Sequence, residues 1–209
     1  MKYGLLVEKL NLIDDQFITS KEVKRYCSIL KMKYSDAITY LTRHKYLIVI
    51  LKGIFYNPSI AERKNNSYDV TYREAIIKAL EIKGVKNWYF GLETAIKINN
   101  LTHEFFVIDF IVNDSIARVN SFKVFGNKIK FVKLKPDLFR FGIKKFKNTR
   151  YSDVEKTVLD IIYLNRYSGF DDATIKDSVL PYLEHCSKDK LKRYAKKYNK
   201  KMEEFIELL

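Results

Sequence analysis

Glycine is scarce in this chain, with seven residues in 209, and proline is scarcer still, with three. Long flexible or polyproline linkers are thereby excluded. Only two cysteines occur, Cys27 and Cys186, far apart and without CxxC spacing, and the three histidines, His44, His103 and His185, are scattered. Neither a disulfide framework nor a zinc site follows from such a set. The adjacent pair His185-Cys186 would supply two ligands where a structural zinc needs four. Long apolar runs are missing as well: the candidates, 46–51 and 105–112, fall well short of the roughly 18 residues of a membrane span. Charges at Lys2, Glu8 and Lys9 interrupt any signal-peptide core. The expectation is a soluble, cytoplasmic chain with no membrane partner. Also absent are a Walker-type glycine loop, GxSxG, HExxH and the Gly-Ser with paired aspartates that nucleotide transfer requires. No enzyme, no cofactor and no metal is expected.

What is present is apolar side chain and positive charge. Hydrophobic residues make up 47% of the sequence and aromatic ones 14%, enough for packed cores and too much for disorder. The 39 Lys and Arg against 25 Asp and Glu leave a net charge of +14, which points to a polyanionic partner, most economically nucleic acid. The charge is uneven. Residues 1–60 hold 10 basic and 5 acidic side chains, residues 61–151 hold 18 and 9, and residues 152–209 hold 11 and 11. Between Phe122 and Arg150 ten basic residues face one acidic residue, Asp137.

Residues 1–60 read as a small helical domain closed by a hairpin. Leu5, Leu6, Leu10 and Ile13 mark a first helix. Thr19 and Glu22 have capping-box spacing, so a second helix starts near Ser20, and Val23, Tyr26, Cys27 and Leu30 form its buried stripe. Cys27 then reads as a buried hydrophobe. A third helix runs from about Tyr34 to His44, burying Ala37, Ile38 and Leu41. The β-rich runs 46–51 and 54–57 are separated by Lys52-Gly53, the signature of a hairpin. Three helices followed by a hairpin is the order of a winged helix-turn-helix, whose third helix enters the major groove of DNA. Lys33, Arg43, Lys45 and Lys52 suit phosphates, and Ser35, Thr39 and Tyr40 suit base edges or sugar-phosphate. The competing reading is a winged helix used for protein contact, its charges merely solvated, since Asp36 lies on the same face.

The polar stretch 59–69 reads as a boundary, with a second domain over 69–209 and an α+β class for the whole. A helix is expected from about Thr71 to Lys83, another through Leu92, Ala95 and Ile98, a central strand over 105–112, and a hairpin over 122–134 turning at Gly126-Asn127. Lys128, Ile129, Lys130 and Phe131 alternate as a half-buried strand does, and the break at Phe131-Val132 suggests a bulge. Lys123, Lys128, Lys130, Lys133, Lys135, Lys144, Lys145 and Lys147 form a second candidate basic surface, for DNA or an acidic partner. Lysines that only keep a sheet edge soluble are the equal alternative.

Three stretches carry a family resemblance: 47–58, a wing closing on glycine, an aromatic pair and proline; 89–96 with Asn100-Leu101-Thr102; and Tyr151-Ser152-Asp153-Val154-Glu155-Lys156-Thr157-Val158-Leu159-Asp160. The layout resembles the AbiEi family of abortive-infection antitoxins, also described as transcriptional regulators of viral defence systems. None of the three stretches is a catalytic signature, so the likeness is to an architecture, over about residues 17–165. It implies a regulator that binds double-stranded DNA at its own operator, and a second domain that neutralises a nucleotidyltransferase-type toxin.

The carboxylates Asp109, Asp153, Glu155 and Asp160 are the ones to weigh for chemistry. Asp153 and Asp160 share a helix face yet lie roughly 10 Å apart along it, too far for one metal. Ser152 and Glu155 have capping-box spacing, and Lys156 and Asp160 can pair at i,i+4. Asp109, in an apolar strand, needs a partner or a task. The C-terminus reads as a helix over 175–183 and one long last helix over 191–206, ringed by solvated lysines.

Overall fold

A computed structural model describes residues 2–209, and the chain divides between Gly84 and Val85 into two compact units of a mixed α+β fold. The first unit runs α1 (Lys2–Asn11), β1 (Phe17–Thr19), α2 (Ser20–Ile29), α3 (Tyr34–Arg43), β2 (Ile48–Leu51), β3 (Ile54–Tyr56), α4 (Ile60–Asn65) and α5 (Tyr72–Ile82). Its antiparallel sheet has the order β1-β3-β2. Leu6 and Leu10 of α1, Val23 and Cys27 of α2, and Ala37 and Leu41 of α3 close over Ile18, Leu47 and Phe55 to form the core. Thr19 caps α2 as its spacing predicts: its backbone N–H donates to Glu22 Oε2 at 2.7 Å, and Glu22 N–H donates to Thr19 Oγ1.

The domain boundary expected at residues 59–69 lies instead after α5. The cause is Glu62, polar in sequence but 2% exposed in the fold. Its carboxylate accepts from the Tyr56 hydroxyl at 2.5 Å, Gln16 Nε2 at 3.0 Å and the backbone N–H groups of Ser59 and Asp69. A polar segment is thereby sewn to β3, and α5 follows onto β2 and β3 through buried Ala75, Ile76, Ala79 and Leu80.

The second unit contains β4 (Trp88–Phe90), α6 (Leu92–Ile98), β5 (Ile108–Asn113), β6 (Phe122–Val124), β7 (Asn127–Lys133), β8 (Ile143–Phe146), β9 (Thr149–Ser152), α7 (Val154–Tyr167), α8 (Asp172–Leu183), α9 (Lys188–Ala195) and α10 (Lys200–Glu207). Its six-stranded sheet has the order β6-β7-β5-β4-β9-β8, with β5–β7 and β4–β9 parallel. Helix α7 carries Val158, Leu159 and Ile162 into a core shared with Tyr89, Val112, Ile175, Leu191 and Phe205.

Several expectations shift here for identifiable reasons. The central strand starts at Ile108 rather than Phe105, because pairing with β7 begins at Ile108↔Lys128, and Phe105 is left 80% exposed. The hairpin turns on Phe125-Gly126, both at positive φ, one residue before the expected pair. No bulge interrupts β7: its register with β5 is continuous from Lys128 to Lys133. Val132 lies on the lysine face and packs against the helical core there. The long last helix is two helices, since Asn199 takes an extended conformation and caps α10 through Met202 N–H at 2.8 Å.

Candidate nucleic-acid interface

Helix α3 presents two faces. Ala37 and Leu41 are buried against α1 and α2, while Ser35, Asp36, Thr39 and Arg43 are exposed on the other side. Lys33 is its N-cap residue and Lys45 follows its end at φ +57°, both exposed. Ten residues of rise separate Lys33 from Arg43, about 15 Å, comparable with the roughly 12 Å width of a major groove. The hydroxyls along the face are engaged within the helix: Thr39 Oγ1 donates to the Ser35 carbonyl at 2.8 Å and Ser35 Oγ to Asp36 Oδ1 at 3.0 Å. A hydroxyl that donates inward still offers its lone pairs outward.

Tyr40 is placed differently from the reading that gave it to base edges. It is half-buried, stacked on Tyr3 with ring centroids 4.2 Å apart, and lies 4.4 Å from His44 and 6.1 Å from Tyr46. Arg63 of α4 covers the far ring of this pile, 5.4 Å from the Tyr46 centroid. Tyr40 therefore fixes the third helix to the first. The hairpin tip is also held: Ser20 N–H donates to the Gly53 carbonyl at 2.8 Å and Lys83 Nζ to the Lys52 carbonyl at 3.3 Å. Gly53 sits at φ +81°, and a Cβ there would come within 3.2 Å of Ser20 Oγ. The Lys52 side chain remains exposed at this anchored tip.

Exposed cations on and just after α2 were not among the residues singled out from sequence: Lys21, Lys24 and Arg25 on α2, and Lys31 in the turn before α3. Lys21, Lys24 and Arg25 lie away from the face of α2 that buries Val23 and Cys27, so reading the polar stripe of that helix, and not only its apolar one, would have found them. Cys27 is buried and its thiol is pushed up by burial, consistent with a packing role.

The second basic set is not brought together. Lys123 and Lys128 face each other across β6 and β7, with Lys130 two residues on, at one edge of the sheet. Lys144, Lys145 and Lys147 lie on β8 and its turn, at the opposite edge. Four strand spacings separate β7 from β8, about 19 Å. Lys133 and Lys135 leave the end of β7 and line a cavity beside α7. One dense block of sequence thus becomes three separate surfaces.

The carboxylates are all engaged. The α7 N-cap is Asp153, not Ser152: Asp153 Oδ1 accepts Lys156 N–H at 2.9 Å. Glu155 reaches instead to α9, accepting Ser187 N–H at 3.0 Å and Lys190 Nζ at 2.8 Å, while the same Nζ lies 2.9 Å from Asp153. Burial would raise the Glu155 carboxyl, but Lys190 and the Ser187 N–H outweigh it and hold it below its usual range. Asp160 accepts from the Tyr89 hydroxyl at 2.7 Å, the Tyr198 hydroxyl at 2.5 Å and Lys156 Nζ at 3.4 Å. Burial pushes the Lys156 ammonium down, with Asp160 and Asp153 opposing. Its Nζ is ringed by Tyr89, Phe141 and Tyr198, 4.7–5.4 Å from the centroids. Asp109 is half-buried, with Thr94 Oγ1 at 3.3 Å. His185 and Cys186 part company: His185 lies 3.4 Å from Glu184, while Cys186 bonds the Tyr182 carbonyl and its thiol is pushed up to about 12, first by burial. No helix among the described residues is long and apolar enough to cross a membrane.

The sequence matches no protein-family model and no curated protein. Among solved structures, the crystal structure of the RV2827C protein from Mycobacterium tuberculosis is similar, with a TM-score of 0.57 and 10% identity. The match covers 99% of this chain and 75% of that one. At that identity the likeness concerns the fold alone.

Proposed function

We propose that the chain is a DNA-binding transcriptional regulator of antitoxin type, which binds its own promoter and neutralises a nucleotidyltransferase-type toxin. The element order of the first unit and its β1-β3-β2 sheet support a winged helix-turn-helix reading. The observation that carries the DNA reading is the exposed face of α3, where Ser35, Thr39 and Arg43 stand between Lys33 and Lys45. Lys21, Lys24 and Arg25 on the preceding helix add phosphate contacts where that helix crosses the backbone. The antitoxin half rests on the resemblance in the three sequence stretches. In this reading the protein works in the cytoplasm, as part of an antiviral toxin–antitoxin system.

The test is binding of the duplex upstream of the chain's own gene, titrated with salt, beside a scrambled duplex. A neighbouring reading frame with the Gly-Ser and paired-aspartate motif of a nucleotidyltransferase supports the toxin half. A second reading, a protein-interaction module without sequence-specific DNA binding, draws on the occupied hydroxyls of α3, the exposed Asp36 and the anchored hairpin tip.

A further inference from the structure

The end of α7 carries a ridge. Tyr163 and Tyr167, one turn apart, both line a cavity of about 320 Å³ and another of about 400 Å³. Tyr167 is 86% exposed, leaving in water a ring of the kind that dominates interface energetics when buried. The smaller cavity is apolar, built on Leu134, Pro136 and Leu164, and Lys133 and Lys135 stand at its margin. The larger is polar, lined by Arg166, Asp172, Asn199, Lys201 and Met202 beside the two tyrosines. Arg166 is a fixed wall: it donates to Asp172 Oδ1 at 2.6 Å and its guanidinium lies 4.5 Å from the Phe205 ring centroid.

We propose that this ridge and its paired cavities are a docking surface for a partner protein that offers an acidic segment with an apolar anchor side chain. The apolar cavity takes the anchor, and the exposed Lys133 and Lys135 meet carboxylates beside it. Tyr and Arg are residue types concentrated at the centres of protein interfaces, and lysines belong at the rim. A second copy of this chain is a poor occupant, because each copy carries +14. A nucleic acid is poor as well, since bases stack on open ring faces rather than fill a cavity on each side of a ridge. The proposal rests on the reading above in one respect, that the second unit meets a protein.

The experiment is a selection of random displayed peptides on the full-length chain, counter-selected on the combined variant Tyr167→Ala, Lys133→Glu, Lys135→Glu. All three side chains are exposed, and an unchanged amide NMR spectrum outside the patch verifies the fold. The expected winners pair Leu, Ile or Phe with Asp or Glu. They lose about tenfold or more in affinity with Tyr167→Ala alone. Winners held equally by the variant, or no acidic enrichment over it, overturn the proposal. So does an oligothymidylate that displaces the peptides and binds in a Tyr167-dependent way, since that assigns the ridge to nucleic acid. Operator binding is measured on Tyr167→Ala alone and should be unchanged, so failure of the DNA half and of the docking surface show separately.

Discussion

Lys156 Nζ and Asp160 Oδ1 lie 3.4 Å apart, one turn apart on α7, with both side chains wholly buried. The pair survives burial because Tyr89 and Tyr198 donate to the same carboxylate and three aromatic rings surround the ammonium. Gly142 completes the enclosure: at φ +66°, a Cβ there would stand 2.7 Å from Lys156 Cβ and 2.9 Å from Tyr194 Cε2. Asp160→Ala leaves an unpaired buried ammonium and should cost about 3–5 kcal/mol. The double variant Lys156→Met, Asp160→Leu should cost clearly less, because no charge is stranded. Denaturant unfolding followed by the fluorescence of Trp88, in the same unit, measures both. A double variant as unstable as Asp160→Ala would contradict the pairing.

Glu62 should make the first unit acid-sensitive. Burial alone would raise its carboxyl, but the hydrogen bonds from Tyr56, Asp69 and Ser59 outweigh it and hold it below its ordinary value near 4.5. A carboxyl lowered in the folded state stabilises above its unfolded value, and that stability is lost as pH falls through the lower, folded one. The protection factors of the β3 and α4 amides, taken against intrinsic exchange at each pH, should therefore fall below about pH 4.5. Glu62→Gln should cost about 1–3 kcal/mol at neutral pH and flatten that dependence. A variant with the same acid profile as the parent would show that other groups set it.

Tyr40 and Arg43 should separate cleanly. Tyr40→Ala breaks the stack with Tyr3 and should lower stability by about 1–2 kcal/mol, while Tyr40→Phe keeps the rings and should leave operator affinity unchanged. Arg43→Ala should leave stability within about 0.5 kcal/mol and reduce the slope of log affinity against log salt by about one. Affinity loss in Tyr40→Phe would return its hydroxyl to the DNA.

The split of the lysine block makes an additive prediction. Charge reversal of Lys128 and Lys130, and separately of Lys144, Lys145 and Lys147, alters surfaces about 19 Å apart. Any effects on operator affinity should add within about 0.5 kcal/mol in the combined variant. Unchanged affinity, salt dependence and toxin neutralisation in all of them would leave these lysines only the task of guarding sheet edges.

Local chemistry was legible in the sequence wherever it was decided locally. Thr19 and Glu22 are three residues apart, and their capping box starts α2 where spacing alone placed it. The stripes of α2 and α3 follow from helical periodicity, and so does the exposed set Ser35, Thr39 and Arg43. What was illegible depends on partners distant in the chain. Glu62 reads as one charge in a polar linker, and only the approach of Tyr56 and Gln16 makes it a buried anchor. Glu155 has the spacing to cap its own helix, but Lys190, thirty-five positions on, competes for it and wins. Lys128 and Lys144 look like neighbours in one basic block, and strand order alone sends them to opposite edges. Tyr40 has the right residue type for a base edge, and only the approach of Tyr3 from the first helix gives its ring a packing task as well.

Whether the exposed face of α3 reads DNA is decided by fluorescence anisotropy with a labelled duplex from upstream of the gene. Binding should be tighter than to a scrambled duplex by on the order of 10³-fold or more. It should weaken linearly in log affinity against log salt, with a shallower slope for Arg43→Ala. Equal affinity for the two duplexes, or a slope that Arg43→Ala leaves untouched, would mean that this face of α3 does not read DNA.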